Sequence, residues 1–534
     1  MKNKDIVTHS LKILIKIPMK DVFLMNPQQL GIIDMGSNSI RFVVYEINEL
    51  GCIKEIQNLK VVARLSSHIN ENGEMTKQGI TAIFETLDRF KDVASKYDLR
   101  EVRGVATAAI RNATNQQEIM QQIKENSDFP IEVLSDQGEA YYGFLAVTNS
   151  MNVQEGITID IGGGSTEVTL FENREMLDFH SIPFGAITLK KQFIKSDQPT
   201  KTEIDTLISF LQEEFSKLSW LKDKKYPVIG IGGSARNLAL IHQQKNDYPL
   251  SGLHHYEMQY VDIRGINQEL QRLQQDERRK VDGLSKDRVD IIIPAITAIE
   301  ELVRFTGSEQ LIISDKGLRN GLLYEMYLHP MGMTHFPNVA EESTYQLSHD
   351  YALDFEHQKR ISVLSAYIHH EIKSILPTLL TNDDLKLMKL AARIFYIGEA
   401  IHTESISQHT FYLLTNKTIE GVTHRERLII SLLASFKSRS QLKQYLKPYQ
   451  DWFSEKERRK YEIMGAVLKL CYGLDRSYRS IIKEIHISVK NEMWEFQIGY
   501  TEDPYFEEFY SNKYKKHLEK AVEKEIELKF YPLN

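Results

Sequence analysis

The run Gly156-Ile-Thr-Ile-Asp160-Ile-Gly162-Gly163-Gly164-Ser165-Thr166-Glu167-Val168-Thr-Leu170 decides how the rest of the chain is read. Apolar and β-branched residues from Ile157 to Ile161 deliver Asp160, three glycines turn the chain, and a second β-rich run leaves. That spacing predicts a hairpin. Glycines without a Cβ let backbone N–H groups approach an anion closely, and successive N–H groups form an anion-binding concavity. Asp160 and Glu167 stand at the two ends of the turn, where carboxylates suit a hard cation held against the same anion. The chemistry indicated is a phosphate with its Mg²⁺.

Alone, three glycines make an ordinary tight turn. The same logic recurs at Leu30-Gly-Ile-Ile-Asp34-Met-Gly36-Ser37-Asn38-Ser39-Ile40-Arg41-Phe-Val-Val-Tyr45, an apolar run ending in Asp and returning as alternating β-formers. A third glycine turn, Val228-Ile-Gly230-Ile-Gly232-Gly233-Ser234-Ala235-Arg236, runs into helix formers, so its N–H groups can face an anion from a helix N-terminus. Two acidic hairpins a domain's length apart and a strand-Gly-Gly-helix predict a duplicated α/β fold closing on a nucleotide or polyphosphate.

These residues resemble the exopolyphosphatase/guanosine pentaphosphate phosphohydrolase family, within the actin-like, sugar-kinase and Hsp70 ATPase superfamily. The resemblance runs from Gly31 to about Glu325. It includes Val105-Ala-Thr107-Ala-Ala-Ile-Arg111, Leu134-Ser135-Asp-Gln-Gly-Glu139-Ala140, Asp287-Arg288-Val-Asp290-Ile-Ile-Ile-Pro and Ser314-Asp-Lys-Gly317-Leu-Arg319-Asn-Gly321. The family usually writes two glutamates before that alanine, where this chain has Gly138-Glu139. The second is the one expected to be catalytic.

The resemblance implies an exopolyphosphatase that releases terminal orthophosphate from inorganic polyphosphate, with Glu139 orienting and deprotonating water. Asp160 and Glu167 would hold Mg²⁺, and Asp34 would position water or metal. Backbone and side chains of Ser37, Asn38, Thr107, Gly162, Gly163, Gly164, Ser165, Gly232, Gly233 and Ser234 would cradle phosphates. Arg41 and Arg111 would make charge-assisted contacts to phosphoryl oxygens. Alternatives are a guanosine pentaphosphate phosphohydrolase, a low-activity regulator that binds guanosine tetra- or pentaphosphate, and an ATP-driven kinase or chaperone of the superfamily. The intact acidic residues argue against the regulator, and the ordered Thr107/Arg111 and Glu139 motifs favour the phosphatase branch over the ATP-driven one.

The 534 residues, 42% of them apolar, suffice for several cores. The fold class expected is α/β: a duplicated actin-like (ribonuclease H-like) two-lobe core, an all-α HD-like domain and a small α+β C-terminal domain. Residues 1–29 are read as an N-terminal extension, 30–142 as the first actin-like domain and 143–325 as the second. Residues 326–480 are read as the helical domain and 481–534 as the C-terminal one. In the extension, Lys12 and Lys16 interrupt Leu11–Ile17, so a signal peptide is not the favoured reading. In the first domain the pattern predicts strands at 40–45, 53–58 and 60–65, a helix over 76–97, and Glu139 on a loop. Thr200-Lys-Thr-Glu203 reads as a capping box.

In the helical domain, HD hydrolases place a metal-binding His-Asp pair where this chain has Phe395-Tyr396. His357, His402 and His409 are therefore read as structural, and the domain is assigned no hydrolytic activity. Only Cys52 and Cys471 occur, which fits a reducing, cytoplasmic setting without a disulfide framework. No apolar run is long enough to span a membrane, and the formal charge of −7 argues against nucleic-acid binding. A phosphate polymer needs a locally basic path, for which Lys190-Lys191, Lys195 and Arg278-Arg279-Lys280 are candidates. A homodimer is expected from the resemblance.

Overall fold

The computed structural model describes residues 27–490 and 492–533. Most of the N-terminal extension lies outside them, and strand β1 begins at Gln28, within the stretch assigned to that extension. In chain order the first elements are β1 (Gln28–Met35), β2 (Ile40–Ile47), β3 (Ile53–Val61), α1 (Lys77–Ala94), β4 (Leu99–Ala106), α2 (Ala108–Arg111), α3 (Gln116–Asn126), β5 (Ile131–Val133) and α4 (Asp136–Thr148). Next come β6 (Glu155–Ile161), β7 (Thr166–Glu172), β8 (Glu175–Ile182), α5 (Ala186–Phe193), α6 (Lys201–Ser216), β9 (Val228–Ile231), α7 (Gly232–Lys245), β10 (Tyr256–Gln259) and α8 (Tyr260–Arg272). Then follow α9 (Gln275–Arg278), α10 (Ile292–Thr306), β11 (Gln310–Ile313) and α11 (Leu318–Leu328).

The fold divides into two compact units. Among the described residues, one comprises 27–146, Ile157–Lys222 and Lys316–His335, the other Val147–Gly156, Asp223–Asp315, 336–490 and 492–533. In the first unit a five-stranded sheet has the order β3-β2-β1-β4-β5. β1, β2 and β3 are antiparallel neighbours, whereas β4 joins β1, and β5 joins β4, in parallel. The parallel joins require crossovers, supplied by helices. α1 buries Ile83, Leu87 and Phe90 against Ile33, Phe42 and Val44 of the sheet, with Ile80, Phe84 and Ala94 packed at the edge of the same core. Its predicted apolar stripe is the face that packs. β6, β7 and β8 lie side by side in that order, and β7 and β8 are antiparallel. In the second unit β9 pairs with β11 in parallel and β11 with β10 antiparallel.

Two local expectations are corrected. The predicted strand over 60–65 is the end of β3 followed by a 3₁₀ turn, Leu65–His68. Arg64, with φ 48, takes the left-handed conformation and breaks the extended run. Glu139 lies on no loop but in the first turn of α4. There Ser135 acts as the cap: its Oγ accepts the Gly138 N–H (3.1 Å) and its carbonyl the Glu139 N–H (3.0 Å). The capping box at Thr200 forms as read, with Glu203 accepting the Thr200 N–H (2.7 Å) and Thr200 Oγ1 the Glu203 N–H (3.3 Å).

From Val339 the second unit continues as α12 (Val339–Asp350), α13 (Phe355–Ile375), α14 (Asn382–Arg393), α15 (Ile406–Asn416), α16 (His424–Ala434), α17 (Arg439–Tyr445) and α18 (Glu455–Leu474). A three-stranded sheet, β12 (Ile482–Lys490), β13 (Met493–Tyr500) and β14 (Ile526–Pro532), with α19 (Tyr505–Val522), completes it. One continuous apolar core joins Ile361, Phe395, Leu433 and Leu468 of the helices to Trp494, Phe496, Leu518 and Ile526 of the last segment. Phe395 is fully buried in it, and Tyr396 donates its hydroxyl to Phe436 O at 2.8 Å. His357 is buried and its Nδ1 lies 2.8 Å from Asp475 Oδ2. His402 is exposed and His409 half-buried.

Candidate active site

The two acidic hairpins meet inside the first unit. Asp34 is the penultimate residue of β1 and Asp160 that of β6. The turns that follow them touch: a Cβ on Gly163 would sit 3.4 Å from the Cβ of Ser37. Each turn closes through its own backbone, Gly36 N–H to Ser39 O and Gly162 N–H to Ser165 O, both at 3.0 Å. Carbonyls of Ser37 and Asn38 accept the N–H groups of Ser66 and Arg64 (3.0 and 2.8 Å), fixing the first turn. Those of Gly162 and Gly163 accept Ala186 and Ile187 N–H (2.9 and 3.0 Å), fixing the second to the start of α5. Gly185 is packed so tightly on that turn that a Cβ would fall 2.5 Å from Gly163 C and 2.6 Å from Gly162 O. Around Gly164 there is open space, so the turn presents bare backbone there.

Four carboxyl groups, those of Asp34, Glu139, Asp160 and Glu167, share this region electrostatically. Burial, the largest influence, pushes the Glu139 carboxyl up to about 7, with Asp160 and Asp34 adding to the rise and Arg111 opposing it. Glu167 on β7 is driven well above the usual carboxylate range by burial, then by Glu139 and Asp160, against hydrogen bonds from Ser165 and Ser181. Ser181 Oγ donates to Glu167 Oε1 at 3.1 Å. Like charges gathered in a buried place favour a cation or a proton.

Arg111, the residue expected to contact phosphoryl oxygens, lies at the end of α2 and bonds two carboxylates. Nη1 donates to Glu139 Oε2 (2.7 Å) and Leu134 O (3.2 Å), and Nη2 lies 2.6 Å from Asp136 Oδ1. Nη2 is thus taken up by Asp136, and Nε makes no hydrogen bond among the described residues, which leaves one donor for an oxyanion. Thr107, buried at the start of α2, donates its N–H to Met35 O (3.2 Å) and so links that helix to β1. Arg41, opposite Asp34 in the β1–β2 register, donates to Asn58 Oδ1 at 3.3 Å.

Gly232, Gly233 and Ser234 open α7 in the second unit. Gly232 has φ +80, a left-handed conformation that suits glycine. The guanidinium of Arg288 lies over Gly233, where a Cβ would approach its Nη2 to 2.0 Å, and donates to Ser234 Oγ at 3.4 Å. Arg236 Nε donates to Gly232 O at 3.1 Å.

Sequence reasoning assigned no site role to Arg319, whose Nη1 donates to Asp34 Oδ2 at 2.9 Å, nor to Ser181 or Arg288. Arg319 and Arg288 each lie inside a family-like motif of the sequence, which does not show their partners.

A divalent ion fits this donor set. Asp160 and Glu167 offer hard oxygens in a buried cluster whose mutual repulsion a cation would relieve. Among the described residues no three His, Cys, Asp or Glu side chains are disposed to hold an ion by themselves. Mg²⁺ keeps several waters and takes one or two carboxylates plus substrate phosphates, so two carboxylates meet its needs.

The paired sheets and their acidic glycine turns define a protein of the actin-like ATPase-type fold. The sequence pattern of the Ppx/GppA phosphatase family matches residues 43–329, and that of the family's domain III matches residues 339–516; the chain belongs to the Ppx/GppA phosphatase family. It is 25% identical over 301 residues to Exopolyphosphatase 1 of Mycobacterium tuberculosis, covering 55% of this chain and 87% of that one. The crystal structure of the Aquifex aeolicus Ppx/GppA family member aligns at 27% identity and a TM-score of 0.51, over 57% of this chain and 98% of that one. An exopolyphosphatase from Cytophaga hutchinsonii aligns at 23% identity and a TM-score of 0.52, over 58% and 100% of the two chains, and supports the fold. Among the described residues no helix is long and apolar enough to cross a membrane.

Proposed function

We propose that the protein is an exopolyphosphatase, removing terminal orthophosphate from inorganic polyphosphate with Glu139 as general base. The observation that carries this reading is Glu139 itself. It is half-buried among the charges of Asp160 and Asp34, and burial pushes its carboxyl up to about 7, near the pH at which a general base combines an ionised fraction of about half with a ready hold on the proton.

The terminal phosphoryl group docks on the bare backbone of Gly163 and Gly164, with Arg111 Nε, which has no partner among the described residues, as a donor to its oxygens. Asp160 and Glu167 would hold a divalent ion, which would supply charge neutralisation for the transferred group. Glu139 takes one proton from a water in line with the terminal P–O–P bond. The water oxygen bonds to phosphorus, the bridging oxygen leaves with the shortened chain, and the proton passes from Glu139 to solvent or product. Phosphoryl transfer of this kind is chiefly positioning and charge stabilisation.

The test is phosphate release with Mg²⁺ from long polyphosphate, guanosine pentaphosphate and ATP side by side. Polyphosphate as the fastest substrate is expected. Faster turnover of the pentaphosphate would make the protein a nucleotide phosphohydrolase, inactivity on both a sensor, and preference for ATP a member of another branch of the fold.

A further inference from the structure

The helix that carries Glu139 is tied to its surroundings by a part-buried hydrogen-bond network. α4 carries Glu139 in its first turn and Tyr142 three residues on, a spacing that puts both on neighbouring positions of one helix face. The Tyr142 hydroxyl donates to Glu325 Oε2 (2.8 Å) and accepts from Arg103 Nη2 (2.7 Å), while Arg103 Nη1 donates to the same Glu325 oxygen. Arg103 also reaches Glu132 Oε1 at 3.1 Å. Tyr142 is buried, and the Arg103 and Glu325 side chains are only 27% and 30% exposed. The triad thus ties β4, β5 and α11 to the helix bearing Glu139.

A second contact joins the same two helices. Gly321, one turn before Glu325 on α11, lies so close to α4 that a Cβ would come within 2.0 Å of the Tyr142 carbonyl oxygen. Arg319, in the first turn of α11, holds Asp34. One helix therefore sets the position of Asp34 directly and of Glu139 through Tyr142.

We infer that Glu325, acting with Arg103 and Tyr142, is a positioning residue that fixes Glu139 against the acid cluster. The inference rests on the general-base reading of Glu139. Loosening α4 changes the distance from Glu139 to Arg111 and to the attacking water, and so alters turnover and the titration of the base while leaving substrate affinity in place.

The experiment is a cycle of Glu325→Gln, Tyr142→Phe and Glu139→Gln, assayed by phosphate release across pH. Glu325→Gln and Tyr142→Phe should each lower kcat about tenfold with KM within about twofold, and displace the acid limb of the kcat–pH profile. In the Glu139→Gln background neither should cause a further loss, because the group they position is gone. Equal losses in both backgrounds, or an unchanged kcat and pH profile, would overturn the inference. Tyr142→Phe removes a single oxygen and keeps the test open where Glu325→Gln fails to fold. Wild-type activity in Glu139→Gln alone would instead sink the general-base reading.

Discussion

Arg111 Nη1 and Glu139 Oε2 lie 2.7 Å apart, an arginine bonded to the carboxylate expected to act as base. Their side chains are 11% and 18% exposed, so solvent screens the pair weakly. Arg111 pulls the Glu139 carboxyl down while burial and the neighbouring aspartates push it up, and the balance falls near 7. Activity and stability should both register that balance.

Glu139→Gln should slow phosphate release by about 10²–10⁴-fold, the contribution of a positioned general base, with circular dichroism unchanged. A loss below about threefold would remove Glu139 from the chemistry.

The same substitution should stabilise the fold. An unfolded glutamate titrates near 4.3, below the folded value of about 7, so the folded state binds the extra proton between those limits. The stability from that proton is full below about pH 4 and lost as pH rises through about 7. In EDTA at pH 8, Glu139→Gln should therefore melt higher than wild type, with the gain shrinking on acidification through this window. A gain that grows toward acid would contradict the sign.

Arg111→Met should move the acid limb of the kcat–pH profile upward, because the cation that favours ionised Glu139 is gone. A limb that stays in place or moves down would show that Arg111 does not tune the base.

Gly185→Ala places a methyl 2.5–2.6 Å from the backbone of Gly162 and Gly163, so the glycine turn must shift. Displacing a phosphate cradle by about 1 Å costs about 10²-fold in rate. Turnover equal to wild type would mean that the turn is not part of the cradle.

Asp475→Ala leaves the buried His357 Nδ1 without its partner and should destabilise the fold by about 1–3 kcal/mol in denaturant melts. Phosphate release per folded molecule should be unchanged within about twofold. A large rate loss would assign chemistry to the helical region after all.

The glycine hairpins were legible because alternation and an aspartate before glycine are local signals, and β1–β2 and β6–β7 form where they predict. Glu139 was misplaced onto a loop because Gly138 weakens helix propensity and Ser135 reads equally as turn or cap. Arg319 gave no role in sequence because its partner, Asp34, is 285 residues away. The raised titration of Glu139 likewise depends on burial and on Asp34 and Asp160, which only the folded chain brings near.

The apolar core that runs from Ile361 through Leu468 to Trp494 and Ile526 has a bearing on dissection of the chain. Cutting at the boundary near residue 480 would bare one side of α18 and strip the last sheet of its backing. The helices and the final strands should therefore melt as one calorimetric event, and neither piece should be recoverable alone in native form.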